Sequence, residues 1–410
     1  MFDTLAWALF AAAATVLAAP VLWAWRLVGL YRHRPAPPVP FVPQATVILP
    51  LRGADPSLPA CLAGLLDQDY PSYEVRIIID SRADPAWAAV EAALARGTPA
   101  NVAVHVAALG RARPTCGLKV SAQLQAVAGL ADSCAVVALI DADVVPGRAW
   151  LRSLVAPLAE PGVGAASGVR WFAPADGGWG SLVRHLWNAG AFAQMCAFGI
   201  PWGGSLAFRT GVLRRAGLLE AWGRCLCEDT VSYGVLRRAG LAVRFAPAAT
   251  TINREPTDLA GACTFVRRQL VCARLHHARW GAVAALNLGT GLALAAVAAL
   301  GGARGWAAAA AGLLGAYALG LLTALAALEA LVRRRARERG EAPPPPPFSW
   351  KTLPALALAQ AVHLGCLLSA LGLRRVTWRG VTYRLGGRGQ VRLLEYRPFA
   401  AAPAAAESVL

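Results

Sequence analysis

The sequence predicts an α/β domain carried between an N-terminal membrane helix and C-terminal membrane helices. Ala135-Val136-Val137-Ala138-Leu139-Ile140 is an unbroken apolar run ending in Asp141-Ala142-Asp143. A central parallel strand, buried on both faces, reads this way. Strand-like and helix-like segments alternate around it, as a parallel sheet with helices on both faces requires. Long apolar stretches bracket the whole, and with 57% hydrophobic and 15% charged residues over 410 positions the chain is too apolar for an ordinary soluble enzyme.

Taken in order, Leu5 to Trp25 carries no charge and is long enough to span about 30 Å of hydrocarbon. The preceding Met1-Phe2-Asp3-Thr4 lacks the basic region of a signal peptide, so residues 1–34 read as a retained anchor. Pro35 to Pro43 is a proline-rich linker opening a domain over 35–280. Strands are expected at Thr46–Leu51, Tyr73–Asp80 and Val102–Ala107, and helices at Leu58–Leu66, Pro85–Arg96 and Lys119–Leu130. Glycine and proline thicken at Gly199-Ile200-Pro201-Trp202-Gly203-Gly204, marking an irregular, site-forming stretch. Membrane segments return over 281–373, at Gly281–Ala303, Gly305–Leu328 and Thr352–Leu373; the last contains Pro354, Gln360 and His363. Pro343 to Pro347 is a short spacer, and 374–410 is a basic tail.

Arg26, Arg32 and Arg34 follow the first segment, and Arg333, Arg334, Arg335, Arg337 and Arg339 follow the third. Positive residues mark the cytoplasmic side, which puts the α/β domain there; the Arg304 loop is too short to weigh. A spanning fourth segment would put the basic tail outside, against the same rule, and a re-entrant or interfacial one would not. Both readings stand. The net charge of +17 clusters near membrane ends, where anionic headgroups account for it. No zinc-finger, RNP or basic-zipper pattern accompanies it, so a nucleic-acid partner is not expected. Nine scattered cysteines fit neither a zinc knuckle nor a redox pair, and read as free thiols.

The acids carry the chemistry. Two carboxylates at a strand's carboxyl end sit where open α/β sheets bind ligands. Mg²⁺ or Mn²⁺ takes one or two of them plus substrate phosphates, so the pattern points to a metal-bound diphosphate. Asp80 ends an earlier strand, and Glu228-Asp229 precedes the helical run Thr230–Ala239. To these add Asp84-Pro85-Ala86, Gly117-Leu118-Lys119-Val120-Ser121, Gly204-Ser205-Leu206-Ala207-Phe208-Arg209 and the tail Thr377-Trp378-Arg379-Gly380-Val381-Thr382-Tyr383-Arg384-Leu385. With them the chain resembles inverting family 2 glycosyltransferases of the GT-A (Rossmann-like) fold. It is most similar to the ceramide glucosyltransferase group and its bacterial relatives that glycosylate hopanoids and other lipids, over roughly residues 5 to 390.

The resemblance implies a metal-dependent, inverting transfer of one sugar from a nucleotide-sugar donor, UDP-linked, to a lipid hydroxyl. It also implies an integral protein of a bacterial inner or cell membrane, with the catalytic domain cytoplasmic. Asp80, or Asp84 by its place in the Asp-Pro-Ala triplet, would contact the nucleotide base. Asp143 would hold Mg²⁺ or Mn²⁺ on the diphosphate, with Asp141 supporting metal or ribose. Asp229 would be the general base with Glu228 steadying it, and Lys119, at a helix start, would meet phosphate. Each has a plainer reading: a turn acid, a helix cap, a solvated lysine. The family's Q/R-x-x-R-W signature has no counterpart at its usual spacing. The stretch reads Arg267-Arg268-Gln269-Leu270-Val271-Cys272-Ala273-Arg274, and an Arg279-Trp280 pair lies further on, three residues after His276. Arg268, Gln269 and Arg274 are left as the donor-binding candidates, with Arg268 or Arg274 supplying the charge. Trp202, His185 and Trp187 are candidates for the acceptor opening, or ordinary interfacial anchors. A processive polysaccharide synthase and a catalytically inactive membrane scaffold remain the alternatives.

Overall fold

The computed structural model of the protein describes residues 2–33, 41–174, 176–303, 305–343, 345 and 348–400. Arg34, Arg304, the 35–40 part of the linker, three of the spacer prolines and the last ten residues of the tail lie outside the described residues.

Helix α1 (Phe2–Arg32) runs through Pro20 without a break. At 1.5 Å per residue it is about 46 Å long, more than a bilayer core needs. Its last turns reach the α/β domain, where the Tyr31 and Thr250 hydroxyls lie 2.7 Å apart.

The domain follows as β1 (Ala45–Leu51), α2 (Leu58–Leu66), β2 (Tyr73–Ile79), α3 (Ala86–Leu94), β3 (Val102–Ala108), α4 (Leu118–Ala128) and β4 (Val136–Ile140). Then come α5 (Trp150–Val155), β5 (Val163–Phe172), α6 (Trp179–Phe198), β6 (Ser205–Arg209), α7 (Thr210–Arg215), α8 (Leu218–Trp222), α9 (Glu228–Arg238), β7 (Ala242–Asn253) and α10 (Leu259–His276). The strands form one sheet in the order β3-β2-β1-β4-β6-β5-β7.

The apolar runs are explained by cover on both faces. Val47, Leu49, Val75 and Ile77 pack with α2, α3 and α5 on one side. Ile48, Ile78, Val137 and Leu139 pack with α4, α8 and α9 on the other. The expectation of a parallel sheet holds for β3, β2, β1 and β4 and fails at β6, which runs antiparallel to both β4 and β5. After β5 the twenty-residue α6 carries the chain so that β6 enters at the carboxyl end of β4, with Ser205 opposite Ile140. That reversal delivers Trp202-Gly203-Gly204 beside Asp141.

Helices α11 (Trp280–Gly301), α12 (Ala307–Glu338) and α13 (Thr352–Gly372) come next. With α1 they are four helices long and apolar enough to cross a membrane. At the far end of the bundle Trp7, on α1, meets Trp306, just before α12, with ring centroids 4.7 Å apart and the planes tilted at 58°; aromatic residues gather in this way at membrane boundaries. At the near end Arg335 donates to the Tyr31 carbonyl at 2.7 Å and Arg339 to that of Ala248 at 3.3 Å. Helix α13 behaves differently, because both its ends meet the α/β domain. Lys351 donates to the Gly177 carbonyl at 3.3 Å before its first turn, and Arg274 donates to the Leu371 and Leu373 carbonyls, each at 2.6 Å, after its last. Between them Trp187 Nε1 on α6 donates to His363 Nδ1 at 2.7 Å.

The tail folds back as a three-stranded antiparallel sheet, β8 (Arg375–Trp378), β9 (Val381–Leu385) and β10 (Val391–Glu395). Tyr383 and Pro114 fasten it to the domain, the first accepting from the Leu118 N–H at 2.9 Å and the second from the Leu393 N–H at 2.8 Å.

Candidate active site

Where the parallel strands end, a cavity of about 480 Å³ opens. One part of its wall is Asp80, Lys119, Asp141, Asp143, Glu228 and Asp229, and another is Leu186, Phe192 and Met195 of α6, Val283 of α11 and Leu356 and Ala359 of α13, with the amides Asn188, Gln194, Asn287 and Gln360 among them. A charged chamber at the sheet edge thus shares one cavity with a passage of mixed apolar and amide side chains between α6, α11 and α13.

Strand β4 ends at Ile140, which puts Asp141 and Asp143 at the sheet's edge. Lys119 stands in the first turn of α4, its Nζ 2.6 Å from Asp141 Oδ1, 2.8 Å from Glu228 Oε1 and 3.4 Å from the Gly203 carbonyl. Burial alone would pull this ammonium down, but Asp141, Glu228 and Asp229 together hold it well above its ordinary value. Burial pushes the Asp141 carboxyl up, and the charges of Lys119, Arg170 and Arg379 outweigh it and keep it low. A Cβ at Gly203 would lie 2.4 Å from Glu228 Oε1, so a larger residue there would push that carboxylate away from Lys119 and Gln123.

Asp229 sits in the first turn of α9, where its Oδ2 accepts the Gly203 N–H at 2.9 Å and its Oδ1 the Thr230 N–H at 2.6 Å. Burial and the neighbouring Glu228 raise its pKa from 3.8 to about 6, against the pull of Lys119 and the two amides. A carboxylate poised there is ionised at neutral pH and still basic enough to accept a hydroxyl proton. Glu228 is held by Lys119 and by Gln123 Nε2 at 3.0 Å.

Asp143 keeps Arg170 2.8 Å from its Oδ2, while its Oδ1 is buried without a hydrogen-bond partner. Among the described residues no group of three or more His, Cys, Asp and Glu gathers as a metal cage. An orphaned carboxylate oxygen beside a second carboxylate fits a hard divalent cation that takes its other ligands from a diphosphate.

Asp80 lines the cavity, but its carboxylate is already engaged. It pairs with Arg52 and accepts the Tyr396 hydroxyl at 2.8 Å and the Phe399 N–H at 2.7 Å. Asp84 is not among the lining residues; it accepts from the Gly53 N–H at 2.9 Å and the Ala86 N–H at 2.9 Å, fixing the loop after β1 to the start of α3. Arg268 and Gln269 line the cavity, Arg268 stacking over the Trp378 ring at 4.7 Å. Arg274 does not line it and clamps the end of α13 instead. Trp187 and Trp202 line the cavity, whereas His185 is buried against Phe172 and Glu329 behind it.

Sequence reasoning missed Arg52, Arg170, Trp378 and Arg379 as wall residues. One signal was available: Arg170 is the only charge in the ten residues of β5, and a lone arginine in a buried strand needs an anionic partner. All nine cysteines are free thiols.

This sheet order, with acids along its carboxyl edge, belongs to the GT-A class of fold. A mannosyltransferase from Pyrobaculum calidifontis, PcManGT, solved with GDP-Man and Mn²⁺, superposes on it with a TM-score of 0.52 at 22% identity, covering 87% of this chain and 99% of that one. The sequence model of glycosyl transferase family 21 matches residues 6–391, and the chain belongs to that family. Ceramide glucosyltransferases from Komagataella phaffii and Gibberella zeae are 36% and 34% identical to it over 61 and 92 residues. Those segments are 15% and 21% of this chain and span only 12% and 17% of the relatives.

Proposed function

We propose that this protein transfers a single sugar, with inversion, from a nucleotide-sugar donor to the hydroxyl of a lipid at a membrane surface. The observation that carries this is the continuity of the cavity, whose lining runs from the acids at the sheet edge to side chains of α6 and of the candidate membrane helices α11 and α13. A passage that meets candidate membrane helices and mixes apolar with amide side chains suits a lipid that carries a hydroxyl.

Asp229 accepts the proton of the lipid hydroxyl as that oxygen attacks the anomeric carbon from the face opposite the leaving diphosphate. Glu228, tied to Lys119, steadies the base and raises its pKa. Lys119 and Arg268 draw the diphosphate to the start of α4 and the wall of α10. Asp143 and Asp141 would hold Mg²⁺ or Mn²⁺, which supplies charge neutralisation on the departing nucleoside diphosphate. The nucleoside takes the end of the cavity lined by Asp80, Arg52 and Leu109.

The test is incorporation. Membranes containing the protein are incubated with labelled UDP-glucose, UDP-GlcNAc or UDP-galactose, Mn²⁺ and extracted lipids. Label entering a small organic-soluble product supports the reading; label in a large polymer would replace it with a processive synthase.

We further infer three crossings, α1, α11 and α12, with α13 lying along the surface against α6 and α10. Hydrogen bonds from both of its ends to the same domain support this, as does a basic tail kept on the side of Arg32 and Arg335. Single-cysteine variants at Asp132 and at Arg392, in a cysteine-free background, should both react with an impermeant thiol reagent only in inside-out vesicles. Labelling from opposite faces would mean that α13 crosses.

A further inference from the structure

Strands β8 and β9 are joined by a two-residue turn, Arg379-Gly380, between the facing pair Trp378 and Val381. Both turn residues have positive φ, 46° and 71°, the geometry for which asparagine-glycine and glycine-glycine are the favoured sequences. Among the described residues Arg379 is the one non-glycine with positive φ. An arginine there is strained where a smaller residue would make the same turn more easily, and such strain gathers at ligand sites.

The surroundings supply the ligand. Arg379 and Trp378 both line the charged chamber, and Trp378 carries the Arg268 guanidinium over its ring at 4.7 Å. Arg379 Nη2 donates to Asp55 Oδ2 and Nη1 to the Arg52 carbonyl, each at 3.0 Å, while the side chain stays 47% exposed. A half-exposed pair of this kind is weak. The backbone, by contrast, is pinned, with Arg52 Nε donating to the Arg379 carbonyl at 2.9 Å. The turn is fixed in place while its guanidinium can exchange partners.

We propose that Arg379 is a donor-binding residue whose guanidinium leaves Asp55 for the diphosphate of the nucleotide sugar, so that the C-terminal tail completes the donor site. The planar fork of arginine matches phosphate oxygens in a way no turn-forming residue can. The inference rests on the nucleotide-sugar reading of the cavity.

The test uses the purified full-length protein with UDP-glucose and Mn²⁺, or whichever labelled donor the wild type turns over, and compares Arg379→Asn with Arg379→Lys. Arg379→Asn should keep or raise Tm, because asparagine suits the turn, while raising donor KM at least tenfold and leaving acceptor KM unchanged. Binding of UDP should weaken in parallel, and Arg379→Lys should recover part of the loss. Wild-type donor KM in Arg379→Asn would overturn the proposal, whatever Tm does. If asparagine lowers Tm, Arg379→Gly, which the φ values favour, takes its place with the same expectations. A wild type inert with every donor would refute the transferase reading itself, a result distinct from an active enzyme indifferent to Arg379.

Discussion

Asp229→Asn should abolish sugar transfer almost completely, lowering kcat about 10²–10⁴-fold, the range that a positioned general base supplies. Donor binding should survive, because the amide keeps the shape of the side chain and Lys119 keeps Asp141 and Glu228 as partners. The wild-type pH profile should show the same group. Asp229 is raised to about 6, so kcat/KM should fall as the pH drops through that value, and the residual activity of the asparagine variant should lack the step. Stability moves the other way. Folding raises this carboxyl from 3.8 to about 6, so the folded state holds the proton more tightly. The group's stabilising contribution is complete below the unfolded value and is lost as pH rises through the folded one. At pH 7 the buried charge counts against the fold, while the asparagine amide nitrogen cannot accept one of the two N–H groups that the carboxylate takes from Gly203 and Thr230. The two effects oppose, and Asp229→Asn should melt close to the wild type. An inactive variant with unchanged or higher Tm separates a catalytic acid from a structural one.

Asp143→Asn should be the second severe lesion. Removing a metal-holding charge removes several kcal/mol of stabilisation of the leaving diphosphate, a loss of about 10²–10³-fold in rate. The concentration of Mn²⁺ giving half-maximal activity should rise at least tenfold, whereas it should stay put in Asp229→Asn. Chelation with EDTA should silence the wild type, and added Mn²⁺ or Mg²⁺ should restore it. Activity indifferent to chelator would leave Asp143 as no more than the partner of Arg170.

What the sequence made legible follows from how local each signal is. The run Val136–Ile140 reads as a central strand because helices cover both its faces, and every residue of it is buried. The acids at strand ends and helix starts follow once the strands are found, which is how Asp80, Asp141, Asp143 and Asp229 came to line one cavity. Strand direction is not local. Ser205–Arg209 carries the same apolar pattern whichever way it runs, and only the return path of α6 makes it antiparallel. Asp80 meets Tyr396 across 316 positions, a pairing that no spacing rule encodes. Helix α13 has the length and composition of the other three candidate spans, and composition does not encode the hydrogen bonds that tie both its ends to the α/β domain. The Asp-Pro-Ala triplet drew attention to Asp84, yet its carboxylate holds two backbone amides together. Arg379 stands in a tail stretch that carries part of the family resemblance, yet its positive φ and its place on the cavity wall emerge only from the fold.

Transfer of a single sugar to a lipid hydroxyl with inversion is tested most directly on the product. Lipid extracted after reaction with the donor that the wild type uses should be analysed by mass spectrometry for the number of sugars added. The anomeric proton coupling in its NMR spectrum reports the configuration at the new bond. The expected product carries one sugar on a lipid hydroxyl, with the anomeric centre inverted relative to the donor, and is missing from the Asp229→Asn reaction. A ladder of sugars, a retained configuration, or a product formed equally well without the Asp229 carboxylate would contradict it.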